Sequence, residues 1–270
     1  GKQFAISGFI INVKQFGAHG VGTGHDDTDA FTAAKAYHDT RDGTYQGTYP
    51  GDAQLAMYAP AGHYYSTAGT ILDTGGTGFT FYGDGAVSVL DKIDFYISGD
   101  YKCHIHNFFL RGATAYGVKL GDGAGNTAFQ CQANHIWIHD KTKGLHLAGA
   151  QNCEISGLNI DLCANGIVSE HAVSTNIDNF SVRGCTNDGI QITSTGLTGN
   201  GELKLSNGSS SNNARRGCSI YSDGTNQVVE DYFVNCSLTG QDISAERTYT
   251  ITAIVDNGSG KIRVATFVAH

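Results

Sequence analysis

Hydrophobic and polar residues alternate along most of the chain in short runs, and glycine rather than proline separates the runs. Five runs open on a glycine: GVKL, GLHL, GIVS, GIQI and GCSI, which start at residues 117, 144, 166, 189 and 217. The starts are 27, 22, 23 and 28 residues apart. Self-similarity at this period is typical of a solenoid in which each repeat forms one coil.

A second alternating run precedes each glycine: FFLR, IWIH, LNID, FSVR and LKLS. Alternation with a period of two indicates β-strands, so each coil carries at least two strands that pair in parallel with the next coil. Aligning the runs predicts two inward columns. The first is Phe108, Ile136, Leu158, Phe180 and Leu203, and the second is Leu110, Ile138, Ile160, Val182 and Leu205.

The N-terminal part has a different pattern, NVKQFGAHGVGTGHDDTDAFTAAKA, over residues 12–36. A short strand leads into a Gly-rich turn, where Asp26 or Asp27 can cap the free N–H groups of a following helix. One face of that helix carries Ala30, Ala33, Ala34 and Tyr37. The spacing predicts a helix near residues 28–38 that covers an open hydrophobic end of the strands.

This N-terminal pattern resembles the signature of right-handed parallel β-helix proteins of the pectate-lyase-like superfamily. YAPAGHYY from Tyr58 is similar to the group's strand followed by P-x-G-x-Y, and FYGDG from Phe81 is similar to its G-x-G step. The resemblance implies an all-β fold, a right-handed parallel β-helix with a short N-terminal capping helix. The superfamily includes tailspike depolymerases, pectate lyases, polygalacturonases, mannuronan epimerases and adhesins.

These patterns divide the chain into three predicted parts. Residues 1–54 form an N-terminal cap of strand, turn, helix and polar loop, and residues 55–240 form the β-helix. Residues 241–270 hold TYTITAIV and KIRVATFV on either side of DNGSG, which predicts an antiparallel hairpin that could begin a further domain.

Composition narrows the class of protein. The formal charge is −8 and no run of Lys or Arg occurs, so we expect no nucleic-acid partner. No apolar stretch approaches the ~20 residues of a membrane span, so no membrane insertion is expected. A charged fraction of 16% together with 37 glycines fits a β-rich extracellular protein. The resemblance to tailspikes implies that a virion, in the phage tail, is the other expected location.

The seven cysteines follow the repeat. Cys131 and Cys153 are 22 residues apart, as are Cys163 and Cys185. This spacing of one coil favours thiols stacked in the interior over disulfides. Neither a metal nor a cofactor is expected, since no Asp-rich calcium cluster is evident and the His104–His106 pair has no third ligand.

Outward positions one coil apart become neighbours at roughly the 4.8 Å spacing of paired strands. One outward column is Phe109, Trp137, Asn159, Ser181 and Lys204, and the next is Arg111, His139, Asp161, Arg183 and Ser206. Sugar binding requires an aromatic platform beside polar groups. We therefore predict a site on this face. Its catalytic residues are His139, Asp161 and Arg183, and its substrate-binding residues are Trp137, Phe109, Arg111, Asn159 and Lys204. The alternative is a solvated polar face in which Asp161 offsets its basic neighbours.

In the predicted chemistry, His139 is the base because its pKa suits proton transfer near neutrality. Asp161 orients His139, and an Arg neutralises the carboxylate of an acidic sugar. A hydrolase would instead need two carboxylates about 5 Å or about 6.5–9.5 Å apart, for which Glu170 is one candidate.

The function expected is the binding and depolymerisation of an extracellular polysaccharide, acidic in the elimination scheme, by a lyase or a glycoside hydrolase. The alternative is a non-catalytic carbohydrate-binding adhesin or structural tail component, since a fold does not fix a function. The resemblance to tailspikes implies a homotrimer, although short secreted lyases of the group are monomers.

Overall fold

The computed structural model describes residues 10–42, 55–73, 78–99, 102–123, 125–194, 201–222 and 232–240. In these ranges the chain forms a parallel β-solenoid with one α-helix, α1 (Thr28–Asp42), and 3-10 helices at Val13–Phe16 and Gly85–Val87. The first ten strands are β1 (Ile10–Asn12), β2 (Ala56–Ala59), β3 (Gly62–Asp73), β4 (Thr80–Gly83), β5 (Ser88–Ile97), β6 (His104–Arg111), β7 (Thr114–Leu120), β8 (Ala128–Phe129), β9 (Gln132–His139) and β10 (Lys141–Leu147). The others are β11 (Ala150–Gln151), β12 (Glu154–Asp161), β13 (Asn165–Ser169), β14 (Ala172–Arg183), β15 (Asp188–Ser194), β16 (Gly201–Ser206), β17 (Ser209–Asn213), β18 (Arg216–Ser222), β19 (Tyr232–Val234) and β20 (Ser237–Gly240).

The strands pair in parallel and build three faces. The first face holds β1, β2 and β4, the first halves of β6, β9 and β12, the middle of β14, and then β16 and β19. The second face holds the starts of β3 and β5, the second halves of β6, β9 and β12, the end of β14, and then β17 and β20. The third face holds the ends of β3 and β5 and then β7, β10, β13, β15 and β18. The predicted parallel solenoid is confirmed.

The chain bends between the first and second faces at residues with positive φ. They are Asn107, His135, Gly157, Asn179, Asn207 and Asn235. Asn is among the residues that tolerate this left-handed region best. The repeated bend lets one continuous strand such as β9 contribute side chains to two faces.

The glycines found in the sequence lie within the strands of the third face, at the fourth position of β7 and β10 and the second position of β13, β15 and β18. Val118, Leu145, Ile167, Ile190 and Cys218, which follow them, pair in register, so the predicted repeat is confirmed. A Cβ at Gly144 would lie 2.6 Å from Cγ2 of Ile160, whose side chain is in the core. Glycine is therefore required where the chain turns closely over the second face.

The two predicted inward columns are correct for the first rungs and wrong for the last. Leu158 pairs with Phe180, and Ile160 pairs with Val182. Leu203 and Leu205, however, pair with Thr175 and Ile177 on the first face, and Val182 is followed by Ser210. The 12-residue strand β14 pairs with β16 through its middle and with β17 through its end, so LKLS belongs to a different face from FSVR.

The interior is apolar and includes the predicted stack of thiols. Five buried cysteines form no disulfide: Cys103, Cys131, Cys153, Cys163 and Cys185. Helix α1 packs on the first strands through Phe31, whose ring centroid lies 5.5 Å from that of Tyr64 and 6.5 Å from that of Phe81. Ala33, predicted to be buried, is exposed, because the buried stripe of the helix centres on Phe31.

Asp26 and Asp27 make different contacts at the start of α1. Asp26 Oδ1 accepts the N–H of Thr28 at 3.0 Å and so caps the helix. Asp27 is fully buried and accepts the backbone N–H groups of His19 at 2.7 Å and Tyr65 at 3.3 Å. The Asp27 carboxylate therefore ties the N-terminal loop to the solenoid.

The predicted C-terminal hairpin, residues 241–270, lies outside the described residues, as does the polar loop over residues 43–54. Among the described helices, none combines the length and the apolar character that a membrane span requires.

Candidate functional site

Five charged side chains follow one another along the second face, and we call them the charged ladder: Asp91, Arg111, His139, Asp161 and Arg183. Register pairs Asp91 with Arg111, His139 with Asp161, and Asp161 with Arg183. Strand β6 pairs with β9, so the Asp91–Arg111 pair lies next to the series His139, Asp161 and Arg183. Asp91 extends the predicted column upstream, and sequence reasoning missed it because it precedes the coils in which the repeat could be counted.

An aromatic row lies beside the ladder. Phe109 pairs with Trp137, and Trp137 pairs with Asn159, so the structure brings together these three predicted binding residues. Trp137 is 39% exposed, which leaves ring surface open for a ligand. The Phe109 and His139 rings meet edge to face with centroids 6.3 Å apart, and this contact positions the imidazole.

Lys204 is not part of this site. It pairs with Asn176 on the first face, and the position after Ser181 in the aromatic row is Ser209. The predicted place of Lys204 in the aromatic row is therefore wrong. Strand β16 pairs with the middle of β14 rather than with its end, which also puts Leu203 and Leu205 on the first face. Ser206 likewise pairs with Asp178 rather than with Arg183.

Both arginines of the ladder are engaged by carboxylates. Arg183 Nη2 lies 2.9 Å from Asp161 Oδ2, and its Nε contacts Asp161 Oδ1, so the pair is bidentate. The hydrogen bonds and charge of Asp161 raise the pKa of Arg183 above its ordinary value. Arg111 Nε lies 3.2 Å from Asp91 Oδ2, which is also 3.0 Å from His63 Nε2. Asp161 therefore takes the Nε and Nη2 donors of Arg183 and Asp91 takes the Nε donor of Arg111, which leaves each guanidinium with partly neutralised charge and only its remaining N–H groups for a ligand.

His139 is oriented by Asp140 rather than by Asp161. Nδ1 of His139 lies 3.0 Å from Oδ2 of Asp140, and the Asp161 carboxylate is held by Arg183. Sequence reasoning missed Asp140 because adjacent residues of a strand point to opposite faces. The φ of 58° at Asp140 turns its side chain back toward His139.

The orientation of His139 decides which of its nitrogens can transfer a proton. When Nδ1–H donates to Asp140, Nε2 carries the free lone pair and is the basic atom. The ladder thus offers one imidazole base, paired charges and an exposed indole. No group of three or more His, Cys, Asp or Glu side chains in the described part of the chain is arranged to hold a metal ion.

Comparison with known proteins gives a family for the chain. The sequence profile described as right handed beta helix region matches residues 93–258, which is more than half of the chain. No curated protein sequence matches significantly.

Several solved structures share the fold. One is the catalytic unit of an α-1,3-glucanase from Streptomyces thermodiastaticus, with a TM-score of 0.60 and 18% identity over 88% of this chain and 42% of that chain. A second is the A-module of a mannuronan C-5 epimerase from Azotobacter vinelandii, with a TM-score of 0.55 and 16% identity over 83% of this chain and 69% of that chain. A third is a mutant tailspike of E. coli bacteriophage HK620 in complex with a hexasaccharide, with a TM-score of 0.51 and 12% identity over 84% of this chain and 50% of that chain. The chain thus spans about half or less of the glucanase and tailspike chains.

Proposed function

The chain belongs to the right handed beta helix family, and on that premise we propose that it binds and depolymerises an extracellular polysaccharide as a lyase or a glycoside hydrolase. The observation that carries the proposal is the exposed ring of Trp137 beside the charged ladder, on the same face and on adjacent coils. An indole offers a sugar ring an apolar platform, and the adjacent charged groups can hydrogen-bond its hydroxyls. The glucanase, the epimerase and the tailspike bound to a hexasaccharide support a carbohydrate ligand by analogy of fold.

The catalytic group proposed for this face is His139. In an elimination, His139 Nε2 takes the proton from the carbon next to the uronate carboxyl group, the C–O bond to the leaving sugar breaks, and a C=C bond forms. The leaving oxygen takes a proton from solvent. Asp140 holds the imidazole during this step, and Trp137 holds the neighbouring sugar ring.

A non-catalytic adhesin or tail component is the second candidate, and the ion pairs of the ladder favour it. Arg183 and Asp161 already satisfy each other, so this part of the face can bind hydroxyl groups without supplying a cation for chemistry. We propose an extracellular or phage-tail location and a homotrimer for the intact protein, by analogy with the tailspike fold. Light scattering at the mass of one 28.5 kDa chain would contradict the trimer.

Incubation with a panel of bacterial capsular and uronate polysaccharides tests the proposed function. New reducing ends indicate hydrolysis, absorbance of an unsaturated uronate indicates elimination, and retention without product supports the adhesin. Trp137→Ala should weaken retention, whereas Val87→Ala, which removes another exposed apolar side chain, should leave it unchanged. If no polymer is retained or cleaved, the proposed function is wrong.

A further inference from the structure

A second group of polar and aromatic side chains lies on the third face, and we call it the His146 cluster: Tyr96, Tyr116, Lys119, Lys143, His146 and Glu170. Register places Tyr96, Lys119 and His146 in one row, and Tyr116 and Lys143 in another. Glu170 follows β13, one coil further on, and reaches back to this group. The cluster therefore draws on four successive coils, those of β5, β7, β10 and β13.

The contacts within the cluster are short. Lys143 Nζ lies 2.8 Å from Glu170 Oε1, and His146 Nε2 lies 2.9 Å from Glu170 Oε2. The Tyr116 and His146 ring centroids are 6.3 Å apart. These contacts fix the Glu170 carboxylate, which remains half-exposed, above a nearly buried imidazole.

At the base of the cluster, one buried ring nitrogen has no hydrogen-bond partner among the described residues. This atom is Nδ1 of His146. Val168, the next residue of the same row, is also buried. Buried polar atoms without a partner are uncommon in native structures, and each calls for a structural or functional explanation.

Lys119 differs from the arginines of the charged ladder. Its ammonium lies 4.4 Å from the Tyr96 ring centroid and 5.4 Å from that of Tyr116. Among the described residues the contacts of Lys119 are with these rings, and none is with a carboxylate. The Lys119 charge is thus available to an anionic ligand, whereas Arg111 and Arg183 are each held by an aspartate.

We propose that the His146 cluster is a binding subsite for a carboxylate-bearing sugar unit, an inference that rests on the proposed function and names its ligand chemistry. The ligand carboxylate is held by the ammonium group of Lys119 and by a second N–H group of Lys143, whose first N–H group is held by Glu170. The sugar ring lies against Tyr116. Glu170 accepts hydrogen bonds from the sugar hydroxyls and fixes Lys143. His146 is a positioning residue, because it contacts Glu170 from below.

Calorimetric titration with short oligogalacturonates and oligomannuronates, and with the same oligosaccharides after carboxyl reduction, tests this subsite. The wild-type chain should bind the acidic forms and bind the reduced forms at least about tenfold more weakly, because reduction removes the charge that the ammonium groups bind; a tenfold change corresponds to about 1.4 kcal/mol. Lys119→Gln and Lys143→Gln should each cause a similar loss. Lys204→Gln, which changes an exposed lysine of the first face, should bind as the wild type does.

Three results would overturn the subsite: no binding of either oligouronate, equal binding after carboxyl reduction, or unchanged affinity in both lysine variants. Thermal melting of each variant checks that it is folded. The outcome is separable from that of the proposed function. If the wild type retains polymer and the two lysine variants retain it equally well, the subsite alone fails, whereas absence of any retained polymer refutes the proposed function.

Discussion

The charged ladder and the His146 cluster lie on different faces of the same coils and use similar side chains in different ways. In the ladder, Arg183 is largely exposed, and its Nε and Nη2 atoms both contact the Asp161 carboxylate. In the cluster, His146 is nearly buried and Lys119 rests on tyrosine rings. The difference shows that the number of charges on a face does not identify a binding site. What matters is which charges already have partners.

The largest effect is expected at the corner between the two faces, where Lys141 begins β10. Its ammonium is buried 2.6 Å from Asp94 Oδ1 and also donates to the Arg111 carbonyl and to Thr114. Burial lowers the pKa of Lys141 and raises the pKa of Asp94. Lys141→Met leaves the Asp94 carboxylate buried without its cation and should reduce the free energy of unfolding by about 3–5 kcal/mol in urea denaturation.

The double change Lys141→Met with Asp94→Leu should recover most of that loss, because it removes both charges. Lys204→Met serves as the exposed control and should change stability little. A stable Lys141→Met variant would show that the corner is open to water and that the two faces are not separated by a dry core.

The next largest effects are expected when the imidazole side chains of His139 and His146 are removed. His139→Ala should lower turnover on a confirmed substrate at least the 10²-fold typical of a lost general base. His146→Ala should raise KM more than it lowers kcat, because His146 positions Glu170 without reaching the reacting atoms. Full turnover by His139→Ala would rule out the ladder as the catalytic face.

The pH dependence of stability separates the faces further. Hydrogen bonds from His146, and then from Lys143, lower the pKa of Glu170 from 4.5 to about 2. A depressed folded-state pKa stabilises the fold above the unfolded value and loses this effect as the pH falls toward 2. Solvent at the half-exposed Glu170 limits the contribution to about 1 kcal/mol.

Denaturation of wild type and Glu170→Gln should therefore differ most above about pH 4.5 and converge toward pH 2. His146→Gln, which removes the larger of the two causes, should reduce the difference. Parallel curves for wild type and Glu170→Gln across this range would contradict the described contacts.

The smallest effect is expected in the ladder itself. A double-mutant cycle with Arg183→Gln and Asp161→Asn should give a coupling free energy of about 0.2–1 kcal/mol, because Arg183 is 65% exposed and the pair is screened by water and salt. The coupling should fall as salt is added. A coupling above about 2 kcal/mol would mean that the pair is buried in solution, as by a second copy of the chain.

The sequence by itself determined the solenoid. A glycine recurs in β7, β10, β13, β15 and β18 because a Cβ there would come too close to neighbouring atoms, as a Cβ at Gly144 would to Ile160, and this requirement returns once in each coil. Alternation of apolar residues also placed Trp137 beside His139, since neighbouring strands of a parallel coil must stack in register.

Only the tertiary structure decided which charges pair. Lys204 lies on the first face because the middle of β14 pairs with β16 and its end pairs with β17, and alternation alone cannot distinguish these two faces. Asp140 turned toward His139 through a backbone angle that no side-chain pattern reveals. Glu170 reaches back one coil to Lys143, 27 residues away in sequence. Contacts of this kind depend on how loops and side chains fold over the strands, which the strand pattern does not encode.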